Sequence, residues 1–494
     1  MTPVIGKKEE PNLWTAEAEI PILTKPSGGI KAKIELVKKG SFEGPILKSP
    51  KILYQIGVRL EKNGFIGDLE NKLNVFIAGT TKDFEINERL CVIITAESGV
   101  GKSWLLRILE LYFGDDVHSY SRISACAPDY WGKVLKNGTL NGEILIIKQM
   151  EGSDKGNYSL MIMADPISGG LKLLTLNEKK KIEELSLPGM PVIGTSSVNI
   201  QIDPQMFRRF LDVHPDESEE QTKRILRHEL RLKCDALYKR DCESVDLDLK
   251  EIVDKMKYES KLYGVEIPYA MLIEDKIPPV ILSRTDIKKV IGLTSAITHL
   301  YFQQRLRYVN PVGTEVLLSS PADHYYMYKL LESILSKRLS GISDNRTTKL
   351  LTTMKIVDPN NSGLGTDLLQ ASTGYPKPTI WAGMTELNRQ GFVVTEDDPT
   401  NKKNNIYKRT NKTEKTVAIT FPDEVIEKEY IKFVKEKLGK YDEKSDKKHV
   451  LSSEQTDLLR KSLLVFDIET GRNITKEIIS EKTFKEYKLE EVSV

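Results

Sequence analysis

Lys102 and Ser103 stand at the end of a glycine-bearing loop, and together they are suited to binding a nucleotide phosphate. The segment Cys91–Phe113 reads CVIITAESGVGKSWLLRILELYF, which is an apolar run, a loop and then an apolar pattern with helical spacing. Loop amides and the positive end of a helix attract an anion. The Lys102 ammonium can reach the β- and γ-phosphates, and the Ser103 hydroxyl can bind Mg²⁺. The sequence therefore predicts a site for ATP and Mg²⁺.

The residues expected to contact the nucleotide are consecutive in the chain. The loop begins at Ala96, where glycine is usual, and alanine is the mildest departure because only a backbone turn is at stake. We expect contacts from Ala96, Glu97, Ser98, Gly99, Val100, Gly101, Lys102, Ser103 and Trp104. The alternative is a loop that joins a strand to a helix and binds no anion.

A second apolar run, Ile144–Ile147, should be the strand that carries a carboxylate for Mg²⁺ or for the attacking water. The residues directly after it are Lys148 and Gln149, so the usual pair of acids is missing. Glu151 is the first candidate for the missing acid and for a second metal ligand. Gln149 could instead orient the water without acting as a base. The site could also be catalytically weak.

Two further segments carry polar residues that suit a phosphate site. The run PVIGTSSVNIQ predicts a strand whose carboxyl end bears Thr195 and Asn199, and ligands of parallel sheets bind at that edge. Arg208 and Arg209 precede another short apolar strand, and an arginine there could enter the nucleotide site of a neighbouring subunit. Turn-forming residues and a pair of surface arginines are the alternatives.

The whole chain sets limits on the elements that position these residues. At 494 residues it suggests about three domains. A net charge of only +2 means that nucleic-acid binding must depend on local basic patches. No signal-peptide core or membrane-spanning run is present, so we expect a cytoplasmic protein without membrane contact. The four cysteines lack the spacing of a zinc site: Cys91, Cys126, Cys234 and Cys242.

Composition and hydrophobic periodicity divide the chain into five predicted units. Residues 1–50 are a β/loop region, residues 51–220 begin with two helices and continue as a parallel α/β core, and residues 221–320 are a helical lid. Within the lid, Ser283–Arg307 has the pattern of an amphipathic helix. Residues 321–420 form a separate unit, and residues 421–494 are a charged helical and mobile tail.

The order of these motifs resembles the core of the AAA+ ATPases. More narrowly, VIGTSS followed by RRFLDVHPDESEEQT is similar to helicase-like replication proteins of plasmids and viruses, which are relatives of the minichromosome-maintenance and superfamily 3 helicases. The resemblance covers about residues 50–310. It implies that Asn199 or Thr195 is the sensor-1 contact, that Arg209 or Arg208 is an arginine finger acting in the neighbouring subunit, and that Arg284 is sensor 2 on the lid.

The same family has a DNA-gripping β-hairpin before the sensor-1 strand. Here LKLLTL, a polar tip and IEELSL predict that hairpin, with Lys179, Lys180 and Lys181 at the tip. Lysines repeated around a ring would follow a phosphate backbone of single-stranded DNA without reading bases. A solvated hairpin tip is the alternative.

The segment from residue 343 to residue 410 resembles a winged helix. It predicts a helix, a short helix TDLLQAS, a turn, a second helix PTIWAGMTELNRQG and a hairpin. The second helix would lie in the major groove of double-stranded DNA. The predicted contacts are Lys377, Thr379 and Arg389 on the helix, and Lys402 and Lys403 on the wing. Docking to another protein is the alternative role.

The sequence as a whole predicts an ATP-dependent DNA helicase or translocase. It would act as a ring, expected to be a hexamer, in the replication of a plasmid or virus. The alternative is an ATP-switched replication initiator or regulator that binds DNA and unwinds little, and the Lys148–Gln149 anomaly supports it. The first 90 residues hold neither zinc-ribbon spacing nor a clustered acidic triad, so a fused primase is not favoured.

Overall fold

The computed structural model describes residues 45–97, 99–124, 127–135, 137–150, 154–176, 182–198, 208–274, 277, 283–339, 345–389, 391–397, 405–410, 424–442 and 447–492. The α-helices in chain order are α1 Pro45–Lys48, α2 Ile52–Lys62, α3 Leu69–Thr80, α4 Lys102–Phe113, α5 Asp154–Met163, α6 Glu219–Cys234, α7 Ala236–Glu243, α8 Leu247–Leu262, α9 Ala270–Ile273, α10 Ser283–Leu300, α11 Pro321–Leu339, α12 Asn345–Val357, α13 Thr366–Thr373, α14 Lys377–Arg389, α15 Glu424–Leu438, α16 Ser453–Ser462, α17 Thr475–Ile478 and α18 Glu481–Glu486. The strands are β1 Cys91–Thr95, β2 Val117–Tyr120, β3 Ile144–Ile147, β4 Gly170–Leu176, β5 Ile182–Pro188, β6 Val192–Ser197, β7 Phe210–Val213, β8 Gly264–Glu266, β9 Arg307–Val309, β10 Glu315–Leu318, β11 Leu364–Gly365, β12 Val393–Asp397, β13 Asn405–Arg409, β14 Lys440–Asp442 and β15 Lys447–Val450.

A five-stranded parallel sheet in the order β2-β3-β6-β1-β7 carries the nucleotide loop. β1 pairs with β6 on one side and with β7 on the other, so the loop that follows β1 leaves from the carboxyl edge between two strands. β1, β3, β6 and β7 are buried along their whole length. The unbroken apolar runs of β1 and β3 are typical of a parallel sheet that is covered on both faces. The predicted parallel α/β core is confirmed.

Alternate residues of β1 enter two different apolar cores. Val92 and Ile94 belong to the larger core, which also contains residues of α2, α3, α4, α8, α10 and α11. Cys91 and Ile93 belong to the smaller core on the other face, with Trp131 and residues of α5, β4 and β5. Successive side chains of a strand point to opposite faces, so a continuous apolar strand supplies both cores.

The predicted lid contains helices α6 to α10, but it also contains a three-stranded sheet in the order β8-β10-β9. The prediction that the last helix continues to Arg307 was wrong, because α10 ends at Leu300. Most of its residues from Asp286 onward are buried, so it is an internal helix. After α10 the chain turns so that Arg305 Nε donates to Asp323 Oδ2 at 2.8 Å, and both side chains are buried. The periodicity of apolar residues carries no signal for such a long-range ion pair.

Residues 345–410 form a small unit with an apolar core of its own. The predicted helices are α12, α13 and α14, and the predicted hairpin is β12 with β13. β11 adds a third strand, giving the order β11-β13-β12. As predicted, Ile380, Met384 and Leu387 of α14 are buried and Trp381 is exposed.

The segments on either side of this unit pack into the larger core. Residues 321–339, which the sequence assigned to the C-terminal unit, form α11, and its apolar residues lie in that core. Residues 424–492, which the sequence assigned to a charged helical and mobile tail, contribute apolar residues of α15 and α16 to the same core. Tyr326 of α11 accepts a hydrogen bond at 2.8 Å from the backbone N–H of Phe466. None of the described helices has the length and hydropathy needed to cross a bilayer.

Candidate nucleotide site

The loop after β1 has the backbone geometry of a phosphate-binding loop. Gly99 and Gly101 have φ of +90° and +97°, a region that residues with a Cβ rarely adopt. A Cβ at either position would meet no atom within 4 Å, so the backbone conformation and not lack of space requires glycine. Gly101 caps α4, which begins at Lys102. Helix N-termini bind anions through their backbone N–H groups. Ser98 lies outside the described residues.

The Lys102 side chain folds back over its own loop. Its ammonium donates hydrogen bonds to the carbonyl oxygens of Ala96 at 2.7 Å and Glu97 at 2.6 Å. The ammonium therefore lies beside the main chain of the loop, where we expect the phosphate to bind. Ser103 follows on the first turn and is exposed, so its hydroxyl is accessible to a cation.

A cavity of about 260 Å³ adjoins the phosphate loop. Its walls come mainly from residues 64–68 before α3, from the loop and first turn of α4, and from Pro215 and one side of α6 between Gln221 and Glu229. Trp104 lies in the wall, donates from Nε1 to the carbonyl oxygen of Gly64 at 2.9 Å, and packs on Phe65 with ring centroids 5.5 Å apart. An apolar wall with backbone polar groups suits a planar heteroaromatic ring. Of the nine predicted nucleotide residues, Gly99, Val100, Gly101 and Trp104 line this cavity.

The strand next to the phosphate loop ends in buried polar residues, as predicted. The Thr195 hydroxyl donates to the carbonyl oxygen of Ile147 at 2.8 Å, so it links β6 to β3. The Ala96 N–H, at the start of the phosphate loop, donates to the carbonyl oxygen of Ser197 at 3.4 Å. β6 and the loop are therefore in register at the carboxyl edge. Asn199 lies outside the described residues.

The residue directly after β3 is a lysine engaged in an ion pair. Lys148 Nζ lies 2.8 Å from Glu110 Oε1 of α4, which places a salt bridge where an acid was expected. Gln149 is exposed, and Glu151 lies outside the described residues. Among the described residues, no group of three or more histidine, cysteine, aspartate or glutamate side chains could hold a metal ion. Ser103 with nucleotide phosphates and water fits Mg²⁺, which commonly keeps several waters.

The two arginines lie at the amino-terminal end of the strands, whereas the phosphate loop follows their carboxyl-terminal end. Phe210, which follows them, pairs with Cys91 at the amino end of β1. Four residue steps of about 3.3 Å then separate this level from Thr95, a distance of about 13 Å. Arg209 donates to Asp165 Oδ2 at 2.8 Å and to the carbonyl oxygen of Met161 at 2.6 Å.

A cavity of about 370 Å³ at that end of the strands is rich in cations. It is lined by Arg89, Arg208, Arg209, Lys288 and Lys289, among others. The last two come from α10, and the exposed Arg284 belongs to the first turn of the same helix. The structure therefore brings the two arginines and the start of α10 together, far from this chain's own phosphate loop.

Sequence reasoning missed a buried polar cluster beside the phosphate loop. Asp212 of β7 is 1% exposed and accepts from the Thr95 hydroxyl at 2.9 Å. His214 Nε2 lies 2.9 Å from the other oxygen of Asp212. The available signal was an acid in the middle of the short apolar run FLDV. At the amino end of β1, burial raises the pKa of the Cys91 thiol to about 12, which makes it unreactive.

The predicted DNA contacts are only partly described. β4 and β5 form the predicted hairpin, and its tip with Lys179, Lys180 and Lys181 lies outside the described residues. The wing residues Lys402 and Lys403 also lie outside them.

On α14, the two predicted cations each have an acidic partner. Lys377 lies 2.6 Å from Asp367, and Arg389 Nε donates to Glu386 at 2.9 Å. Thr379 is partly exposed near the start of the helix.

Comparisons with known proteins agree with a P-loop fold. A family model described as the MTBMA_p00010 P-loop domain matches residues 46–259, which include the phosphate loop, the parallel sheet and α6. No curated protein matches in sequence. The predicted α/β P-loop core is confirmed at the level of the fold.

Several solved structures are similar in part. A full-length MCM homolog from Methanopyrus kandleri is 13% identical with a TM-score of 0.37, over 63% of this chain and 62% of that chain. The chain thus spans less than two thirds of that protein. The RuvB Holliday junction branch migration motor of Thermotoga maritima is 15% identical with a TM-score of 0.26, over 70% of this chain and 93% of that chain. JCV helicase is 12% identical with a TM-score of 0.22, over 54% and 75%.

Proposed function

We propose that this chain is an ATP-dependent DNA helicase or translocase that acts as a ring in the replication of a plasmid or virus. One observation carries the proposal: the phosphate loop lies at the carboxyl-terminal end of the parallel strands, and the Arg208–Arg209 pair lies at their amino-terminal end. A chain built this way can place its arginines in the nucleotide site of a neighbour that packs in the same orientation. Repeated head-to-tail contacts of this kind close into a ring when the rotation allows it.

Each residue then has a role in hydrolysis of the β–γ phosphate bond. Lys102 and Ser103 hold ATP and Mg²⁺, and the adenine lies in the cavity beside Trp104. Glu151 or Gln149 orients the attacking water, and Asn199 or Thr195 contacts the γ-phosphate. The neighbour's Arg209 or Arg208 stabilises the charge that develops in the transition state, and Arg284 acts beside it.

Movement along DNA depends on other parts of the chain. The Lys179–Lys181 tips of the β4–β5 hairpins follow single-stranded DNA inside the ring, because point charges bind a backbone without reading its sequence. The unit 345–410 is proposed to be a winged helix that binds double-stranded DNA through α14 and the β12–β13 wing.

A second candidate is a replication initiator or regulator that binds ATP and DNA but hydrolyses ATP slowly. The specific observation that favours it is the Lys148–Glu110 ion pair, which occupies the position after β3 where an acid would speed hydrolysis. This candidate shares the nucleotide site and the assembly with the first, but it hydrolyses ATP slowly and unwinds little DNA.

Strand displacement on a forked DNA separates the two candidates. For the helicase we expect ATP-dependent displacement by the wild-type chain and none by Lys102→Ala, because the variant lacks the ammonium that holds the phosphates. Lys239→Ala, which removes an exposed lysine of α7, is the matched control and should behave like wild type. ATP-dependent assembly without displacement would favour the initiator, and absence of ATP binding would contradict both candidates.

A mixing experiment tests the arginine assignment. Arg209→Ala and Lys102→Ala should each abolish ATPase activity, but mixed rings should regain activity at about a quarter of their interfaces, where an intact loop meets an intact arginine. Arg208→Ala is mixed in the same way. If no mixture regains activity although mixed oligomers form, the arginines do not act in a neighbouring subunit.

A further inference from the structure

A carboxylate buried in the central sheet is the least expected polar group of the core. Asp212 of β7 is 1% exposed, and a buried carboxylate is costly unless it is hydrogen-bonded. Oδ1 accepts from the Thr95 hydroxyl at 2.9 Å, and Oδ2 lies 2.9 Å from Nε2 of His214. This single side chain therefore joins the last residue of β1 to the first residue after β7.

His214 extends the cluster in two further directions. Its Nδ1 lies 3.3 Å from the carbonyl oxygen of Thr95, so the ring contacts both Asp212 and the main chain from which the phosphate loop leaves. Its own carbonyl oxygen accepts from Asn71 Nδ2 of α3 at 2.7 Å. The position of residue 214 is thus fixed relative to β1 and to α3.

The chain that leaves His214 leads directly into a wall of the nucleotide cavity. Pro215 lines the cavity, and Ser218 caps α6 by accepting from the N–H of Gln221. Gln221 and His228 of α6 line the same cavity as the phosphate-loop residues Gly99 to Gly101. A nucleotide in this cavity would be close to both the loop and α6, and β7 leads into α6 through Asp212 and His214.

We propose that Asp212 and His214 are positioning residues that couple nucleotide binding on the phosphate loop to the placement of α6. This inference rests on the proposed nucleotide site. The cluster, defined as Thr95, Asp212 and His214, holds the amino end of α6 at a fixed place relative to the start of the loop. Because α6 is held at this place, a nucleotide bound by the loop contacts α6 and orders it. Without the cluster, the loop still binds phosphate, but α6 is no longer ordered by that event.

Hydrogen exchange of the full-length chain tests the coupling. The probe is a slowly hydrolysed ATP analogue with Mg²⁺, and exchange is followed in the phosphate loop and in α6. In the wild type we expect the analogue to slow exchange in both segments by about tenfold or more. In Thr95→Val and His214→Ala we expect slowing in the loop but less than about twofold slowing in α6.

The matched control is Thr298→Val in α10. Thr298 donates from its hydroxyl to Asp323 Oδ2 at 3.1 Å, so the variant also removes a buried threonine-to-aspartate hydrogen bond but leaves the nucleotide cavity untouched. It should lose stability like Thr95→Val and keep the protection of α6.

Steady-state kinetics give a second readout: KM for ATP should rise in the cluster variants by about tenfold, with a smaller change in kcat.

The outcomes separate this inference from the proposed function. Protection of α6 in Thr95→Val and His214→Ala equal to that in wild type would overturn the coupling while leaving the nucleotide site intact. Absence of protection anywhere in the wild type would contradict the nucleotide site and the coupling together. If His214→Ala does not fold, Thr95→Val, which removes the hydroxyl that donates to Asp212, carries the test by itself.

Discussion

At the scale of single residues, Lys102 forms hydrogen bonds with the main chain of the phosphate loop to which it belongs. The Lys102 ammonium donates to two carbonyl oxygens of the loop, and Gly99 and Gly101 adopt positive φ angles. When a phosphate binds, the ammonium would replace its hydrogen bonds to the carbonyl oxygens with charge-assisted hydrogen bonds to the phosphate. Binding of a phosphate would therefore require the ammonium to give up these two carbonyl contacts.

Gly101→Ala should weaken ATP binding without filling any space. Its φ of +97° is strained for alanine, at about 1–2 kcal/mol, which corresponds to a loss of about 5- to 30-fold in ATP affinity if binding requires this backbone. Gly313→Ala is the matched control, since Gly313 has φ of +82° and open space but lies in a distant turn. Equilibrium titration with ATP measures the effect, and equal affinity in wild type and Gly101→Ala would contradict it.

His299 should make the fold sensitive to acid. Burial lowers the pKa of His299 to about 4, and its Nδ1 has no hydrogen-bond partner among the described residues. The unfolded chain, with a pKa near 6.5, takes up the proton first, so stability is present above about pH 6.5 and falls towards pH 4. Between pH 7 and pH 5 this residue should lower the free energy of unfolding by about 2 kcal/mol.

Urea unfolding of wild type and His299→Leu at the two pH values checks this expectation. Leucine does not titrate, so the fall in unfolding free energy from pH 7 to pH 5 should shrink by about 2 kcal/mol in the variant. An identical pH dependence in the two proteins would show that the imidazole is not held neutral by burial.

At the scale of elements, α14 has a neutral exposed face. Lys377 and Arg389 are each paired with an acid, and the exposed Trp381 lies between them in sequence. Residues 345–410 carry nine basic and six acidic side chains. If α14 binds DNA, Lys377 and Arg389 must leave their acidic partners before they can contact phosphates. This cost lowers the affinity for DNA.

Asp367→Asn should therefore strengthen binding to double-stranded DNA. It releases Lys377 from an exposed ion pair worth about 0.2–1 kcal/mol, so affinity should rise by up to about fivefold, whereas Lys377→Ala should weaken binding and lower the salt dependence. Lys432→Ala on α15, an exposed lysine near Glu429, is the control. Binding is measured by fluorescence anisotropy at several salt concentrations. If Asp367→Asn leaves DNA affinity unchanged and Lys377→Ala is indistinguishable from Lys432→Ala, α14 is not the DNA-contacting helix.

At the scale of the whole molecule, the unit 345–410 interrupts the larger core. α11 precedes it and α15 follows it, and both contribute apolar residues to the same core. Tyr430 of α15 and Phe466 are fully or almost fully buried. The Lys51 ammonium lies 5.3 Å from the centre of the Phe466 ring, which joins the start of the described chain to its C-terminal part. The C-terminal segment is thus part of the body that carries the nucleotide site.

Two deletions should consequently have opposite effects. Removing residues 424–494 strips buried side chains from the larger core, and we expect loss of cooperative unfolding and of ATP binding. Removing residues 345–410 takes away a unit with a separate core, and we expect the thermal transition and ATP binding to remain while duplex DNA binding falls. Circular dichroism melting and ATP titration measure both. A stable, ATP-binding protein after the first deletion would show that the segment is dispensable.

The sequence by itself determined the local parts of this protein. The apolar run, glycines, Lys102 and Ser103 predicted the strand, loop and helix, because these features depend on neighbouring residues and on short-range backbone preferences. The same holds for the helices and hairpin of the unit 345–410, which the structure contains.

Contacts between residues that are distant in the sequence depend on how the elements pack. The tertiary structure joined Asp212 and His214 to Thr95, paired Lys148 with Glu110, ended α10 before Arg305 and drew the charged C-terminal segment into the core. In each case the partners lie on different elements, and hydrophobic periodicity reports which face of an element is buried but not which element covers it. Long-range ion pairs and hydrogen bonds are fixed by packing, so they became visible only when the elements were assembled.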